Sequence, residues 1–221
     1  MAARTQAVLF DLDGTLFDRD TSFQELVKAQ YRAFAPALRA IPRDVFVQRV
    51  VELDEHGYVE KALVYRAVVS EFALPVPLAE SLLAHFQDTY ASFSRCFPEV
   101  PAALANLGGR GVKLGIITNG STRMQEDKIR ALGISEFFDT VLISEREGFR
   151  KPDRRIFDLA LDRLSVGAEE AWYVGDHPVA DIRGACDAGL TAVWRRTCYW
   201  QTPDAPCHHI DGLDELPDLL P

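Results

Sequence analysis

The apolar positions along the chain fall into two textures. Between residues 20 and 94 they step at three and four: Phe23, Leu26, Val27, Gln30 and Phe34, then Phe46, Val50 and Leu53, then Leu78, Leu82, Phe86, Tyr90 and Phe93. That period predicts helices, each with one apolar stripe; Leu63, Val68, Val69 and Phe72 predict one more. "IPRD" at 41–44 and "LPVP" at 74–77 mark breaks, because proline suits a helix end or start and not its interior. Elsewhere the apolar runs are short and nearly continuous, at 6–10, 112–117, 140–143, 171–174 and 190–194, and helical patterns at 122–132, 153–164 and 178–188 separate the later ones. Such runs are strands buried on both faces of a parallel sheet. The pattern therefore predicts an α/β fold, a doubly wound parallel sheet of Rossmann-like type with an all-helical cap inserted after the first strand. The expected core spans 1–19 and 95–221, the cap spans 20–94, and a sixth strand or a last helix falls within 208–220.

Composition narrows the function classes. A chain of 221 residues with 48% hydrophobic and 26% charged residues has the balance of an ordinary globular protein. Its net charge of −9 argues against a nucleic-acid partner, which calls for a Lys/Arg surplus. No apolar run approaches the ~18 residues of a membrane span, and "MAARTQ" has no signal-peptide character. Four scattered cysteines, Cys96, Cys186, Cys198 and Cys207, indicate reduced thiols and a cytoplasmic protein. Cys198, Cys207, His208 and His209 lie close in sequence but match no usual zinc spacing, so they read as a loop with free thiols.

Candidate chemistry sits where the strands end. The first run stops at Asp11, with Asp13, Gly14 and Thr15 following; the second stops at Thr118, Asn119 and Gly120. The third leads to Lys151, the fourth to Gly175 and Asp176, with Asp181 five residues on. Singly these residues are ordinary caps and turns. Parallel strands bring all these ends to one edge, the edge at which open α/β sheets bind ligands. Two carboxylates as close as Asp11 and Asp13 repel unless a cation, a proton or hydrogen bonds compensate. Asp11, the Asp13 carbonyl and Asp176 form an oxygen-only set suited to Mg²⁺. Thr118, Lys151 and the backbone N–H groups near Asn119 and Gly120 suit phosphate oxygens. Asp11 suits a carboxylate nucleophile and Asp13 a general acid and base.

"FDLDGTL", "IITNG", "KPD" and "VGDHPVADIRGA" together resemble, in order and across residues 7 to 194, the four motifs of the haloacid dehalogenase superfamily. The helical insertion resembles the cap of its subgroup I. The resemblance implies Asp11 as nucleophile, Asp13 as acid/base, and Thr118 and Lys151 as stabilisers of the phosphoryl group. It makes Asp176 a metal ligand, Asp181 a supporting acid beside the metal or Lys151, and Thr15 a brace of the nucleophile loop. Asp13 points away from dehalogenation, since the dehalogenases lack that second aspartate. The expectation is a Mg²⁺-dependent phosphatase of a small phosphorylated metabolite, working through an aspartyl-phosphate. The alternative is a phosphomutase of the β-phosphoglucomutase kind; a haloacid dehalogenase, a signalling receiver domain and an inactive binding protein rank lower. Cap residues Arg19, Thr21, Ser22, Glu60, Lys61, Tyr65 and Arg66 are candidates for substrate contact, with the cap expected to act as a lid. His177 is a candidate for the site rim. Neither the particular ester nor the oligomeric state, monomer or dimer, is readable.

Overall fold

The computed structural model describes residues 5–221. Strand β1 (Ala7–Phe10) is wholly buried. The chain then enters helices α1 (Arg19–Ala33), α2 (Ala35–Leu38), α3 (Arg43–Asp54), α4 (Lys61–Glu71) and α5 (Pro77–Thr89). Pro42 caps α3 and Pro77 opens α5, positions where a missing N–H costs nothing. Residues Arg19–Arg95 form one compact unit and Met1–Asp18 with Cys96–Pro221 another. Inside the helical unit the stripes close on Phe23, Leu26, Phe46, Val50, Val68, Leu82 and Phe86. The polar member of the first stripe, Gln30, is buried too. Its Nε2 donates to the Leu82 carbonyl at 2.8 Å and its Oε1 accepts from the Tyr65 hydroxyl at 3.1 Å, so the amide is satisfied.

The second unit alternates α6 (Val100–Gly109), β2 (Lys113–Thr118), α7 (Thr122–Leu132), β3 (Thr140–Ile143), α8 (Ser144–Glu147), α9 (Arg154–Leu164), β4 (Ala171–Gly175), α10 (Gly184–Ala188), β5 (Thr191–Arg195), β6 (His208–Ile210) and α11 (Leu216–Leu219). The sheet order is β3-β2-β1-β4-β5-β6 and every pairing is parallel. This is the expected α/β architecture, and 208–220 supplies both a strand and a helix. One expected helix differs: 178–188 begins as a wide π-helical turn, Pro178–Arg183, and only its last five residues are α-helical. The His177 side chain caps that turn, its Nδ1 accepting from the N–H groups of Val179 and Ala180, each at 3.0 Å. α9 is capped by Asp153, whose Oδ1 accepts from the Arg155 N–H at 3.0 Å.

Chain order around β1 decides where polar groups collect. β1 lies between β2 and β4, with Phe10 in register with Ile116 and Val174. Thus Asp11, Thr118 and Asp176, each at or just past a strand end, share the carboxyl edge at the point where the strand order reverses. Behind that edge lies an apolar layer of Leu9, Ile117, Ile156, Phe157, Ala160, Tyr173 and Ile182. Phe157 meets the Tyr173 ring edge-on at 5.2 Å and is fully buried. Phe157→Ala removes that support and leaves a cavity, a loss of about 3–5 kcal/mol. Its melting temperature should fall by roughly 10 °C or more; a drop within a degree or two would show that the layer closes up around the gap.

Candidate active site

The segment after β1 is a tight loop. The N–H groups of Leu16 and Phe17 both donate to the Leu12 carbonyl, at 3.0 and 2.8 Å, and the Gly14 N–H donates to the Phe17 carbonyl at 2.9 Å. Gly14 has φ +87°, and a Cβ there would lie 2.7 Å from Asp176 Oδ2, so only glycine fits. Arg195, from the end of β5, donates to the Gly14 carbonyl at 3.1 Å. The Thr15 hydroxyl, expected to brace this loop, is buried without a hydrogen-bond partner among the described residues. The backbone bonds hold the loop instead.

Asp11 points into a nearly dry cluster. Lys151 Nζ donates to Asp11 Oδ1 at 2.5 Å, to Asp181 Oδ1 at 2.7 Å and to the Tyr173 hydroxyl at 2.8 Å. The lysine is buried, as are Asp11, Asp176 and Asp181. Asp176 accepts from the Tyr199 hydroxyl at 3.2 Å, and its carbonyl accepts from Trp194 Nε1 at 2.7 Å. Asp181 is the acid that supports Lys151, with its second oxygen taken by the His177 N–H at 2.9 Å.

Three carboxyl groups face one ammonium here, and full ionisation would leave an excess of two negative charges. Burial raises Asp11 to about 7 against the pull of Lys151, with Asp181 and Asp13 adding repulsion. Burial also pushes Asp176 well up, with Asp11 and Asp181 reinforcing it. For Lys151 burial works downward, but Asp11 and Asp181 outweigh it and hold the ammonium above its ordinary value. Oxygen atoms of Asp11, Asp176 and Asp181 lie within 4.8 Å of one another. A buried, oxygen-only set with two uncompensated charges fits a hard divalent cation. No other group of three such ligands occurs among the described residues. Near the chain end, the His208 ring instead stacks on Trp172 at 5.0 Å and all four cysteines are free thiols.

The second acid is held apart from the first. Lys128 Nζ donates to Asp13 Oδ1 at 2.5 Å and Gln125 Nε2 to Asp13 Oδ2 at 2.8 Å. Gln125 also donates to the Thr118 hydroxyl at 2.5 Å. At Asn119 and Gly120, whose backbone N–H groups are expected on phosphate, the Asn119 side chain and the Gly120 N–H have protein partners. Asn119 Nδ2 donates to the Lys151 carbonyl at 3.0 Å and its Oδ1 accepts from the Lys151 N–H at 2.9 Å, so this amide positions the lysine. The Gly120 N–H donates to the Ser144 hydroxyl at 3.0 Å.

Tyr173, Gln125, Lys128, Tyr199 and Trp194 were not among the expected site residues. Only Gln125 and Lys128 left a trace: with Ile129 they are the buried positions of α7, a polar pair on what should be an apolar stripe. Among the cap candidates, Tyr65 and Ser22 are buried in their own unit and are not surface contact groups. Lys61 and Arg19 are paired with the buried Asp54.

The strand order and the strand-edge acid cluster define an open α/β protein with its ligand site at the carboxyl edge of the sheet. The family model for haloacid dehalogenase-like hydrolases matches residues 8–194, and the chain belongs to that family. It is similar to a glyceraldehyde 3-phosphate phosphatase of Methanopyrus kandleri, 34% identical over 97% of both chains. It is also similar to an N-acetylmuramic acid 6-phosphate phosphatase of Pseudomonas aeruginosa, 30% identical over 98% of this chain and 95% of the other. Among solved structures, a HAD phosphatase from Thermococcus onnurineus superposes with a TM-score of 0.67 at 27% identity, covering 97% of each chain. The protein is thus a phosphatase-like enzyme, a phosphoric monoester hydrolase. No helix among the described residues is long and apolar enough to cross a membrane.

The charge excess predicts an inverted pH dependence for the metal-free protein. Asp11 sits near 7 when folded against 3.8 ordinarily, so it binds its proton more tightly in the folded state. Its contribution to stability is full below about pH 4 and is lost as pH rises through 7. Asp11→Asn removes that titration. In EDTA the variant should melt several degrees above the parent at pH 8, with the difference shrinking towards pH 5. Parallel melting curves for the two proteins across that range would refute the electrostatic account.

Proposed function

We propose that the protein is a Mg²⁺-dependent phosphatase of small soluble phosphomonoesters that works through an aspartyl-phosphate on Asp11. One observation carries the reading: at the end of the central strand Asp11 is gripped by Lys151, while Asp13, two residues on, is gripped by a different lysine. Two like acids in separate settings suit separate roles.

In the first step an Asp11 carboxylate oxygen bonds to phosphorus as the ester P–O bond breaks, and Asp13 delivers a proton to the departing oxygen. In the second, a water attacks the phosphoryl group. Asp13 takes the water's proton and the Asp11–phosphorus bond breaks, releasing inorganic phosphate and free Asp11. Lys151 and the Thr118 hydroxyl steady the negative oxygens, and Asn119 keeps Lys151 in place by its two hydrogen bonds. Asp11, Asp176 and the Asp13 carbonyl would hold the cation, with Asp181 beside it anchoring Lys151. Bound there, Mg²⁺ supplies charge neutralisation for the phosphoryl oxygens and the acids. Small phosphorylated metabolites are the substrate class best supported, because the relatives named above are phosphatases of a triose phosphate and a sugar phosphate.

Hydrolysis of 4-nitrophenyl phosphate and a panel of sugar phosphates should require Mg²⁺ and stop in excess EDTA, and inorganic phosphate should appear in step with the alcohol. Full turnover in EDTA, or an isomerised sugar phosphate without free phosphate, would overturn this reading. Asp11→Asn should lower kcat by roughly three orders of magnitude or more. Near-normal turnover would mean that water attacks phosphorus directly.

A further inference from the structure

The buried cation on α7 has no task in the steps just described. Lys128 is 6% exposed and Gln125 2%, and they stand one helical turn apart on the same face. Each reaches a different oxygen of Asp13, the lysine Oδ1 and the amide Oδ2. Donors on both oxygens fix the carboxylate against rotation and against translation along the loop. The lysine is itself fixed from below, its Nζ lying 5.1 Å from the centroid of the Phe17 ring, on the strand-like return of the same loop. The amide is fixed by the Thr118 hydroxyl, and the position of Gly120 leaves it room: a Cβ there would lie 2.9 Å from the Gln125 side chain.

We propose that Lys128, assisted by Gln125, is a positioning residue for proton transfer: it sets the direction in which Asp13 presents its carboxyl group to the leaving oxygen and then to water. The proposal rests on the assignment of Asp13 as acid and base. It also gives α7 a function beyond sheet cover, since one helix face then aligns Asp13 and the Thr118 hydroxyl together. Asp13 itself has a side chain about a quarter exposed, at 26%. It stays hydrated when its partner is removed, so a lysine-to-methionine change of similar length need not leave a stranded buried charge.

The test separates positioning from general structural support through the leaving group. An alkyl alcohol needs a proton as it departs; 4-nitrophenolate does not. kcat/KM covers only the steps up to ester cleavage. Lys128→Met should lower kcat/KM for an alkyl phosphate such as glycerol phosphate by roughly ten- to a hundredfold, with KM little changed. It should leave kcat/KM for 4-nitrophenyl phosphate close to wild type. With the aryl ester, a burst of nitrophenolate equal to the enzyme concentration should precede slow turnover, because water activation is also impaired. Equal losses on both esters without a burst, or no loss on either, would overturn the proposal. Lys128→Gln, which keeps a donor, should fall between wild type and Lys128→Met, and it carries the same comparison if the methionine variant does not fold. Asp13→Asn provides the reference: it should show the same preference for the aryl ester, more strongly. If Asp13→Asn shows no such preference, or wild type cleaves neither ester, the assignment under Proposed function has failed. A normal Asp13→Asn response with a flat Lys128→Met response overturns only the role of Lys128.

Discussion

The site depends on one electrostatic constraint: Asp11, Asp176 and Asp181 are buried together with a single buried ammonium, that of Lys151. Left alone, the cluster is costly, because desolvation and mutual repulsion both oppose ionisation and both raise Asp11 and Asp176. The fold tolerates it because the surrounding elements supply donors. Tyr173 from β4 donates to Asp181, Tyr199 from the loop after β5 donates to Asp176, and the His177 N–H from the π-helical turn donates to Asp181. A divalent cation held by these oxygens would neutralise such an excess of charge.

The second constraint is separation. Asp11 and Asp13 are two residues apart yet belong to different networks, one around Lys151 after β3 and one around Lys128 on α7. The Gly14 turn, with its positive φ, bends the chain directly after Asp13 and lets Asp176 approach the backbone. A nucleophile must be ionised and near phosphorus, whereas an acid/base must exchange protons with leaving oxygen and water. Different neighbours permit both behaviours in the same residue type, and the Thr118 hydroxyl is tied through Gln125 to the Asp13 network.

Sequence periodicity by itself determined the alternation of strands and helices, the helical texture of 20–94, and the presence of Asp11, Thr118 and Asp176 at one sheet edge. These are local properties: apolar period sets the element, and parallel strands align their carboxyl ends whatever the loops do. Lys151 was legible in the same way, from its place in the segment after β3. The partners were not. Gln125 and Lys128 lie 112 and 115 residues from the Asp13 they hold, and Tyr173 lies 22 residues from Lys151. No spacing rule links such positions, because packing of separate elements decides which side chains meet. The same reason made the Asn119 side chain an anchor of Lys151 and placed Tyr65 inside its helical unit. The residues able to do the chemistry follow from one-dimensional pattern, but how each is oriented, charged and supported follows only from three-dimensional packing, in which burial and hydrogen bonds act between residues far apart in the chain.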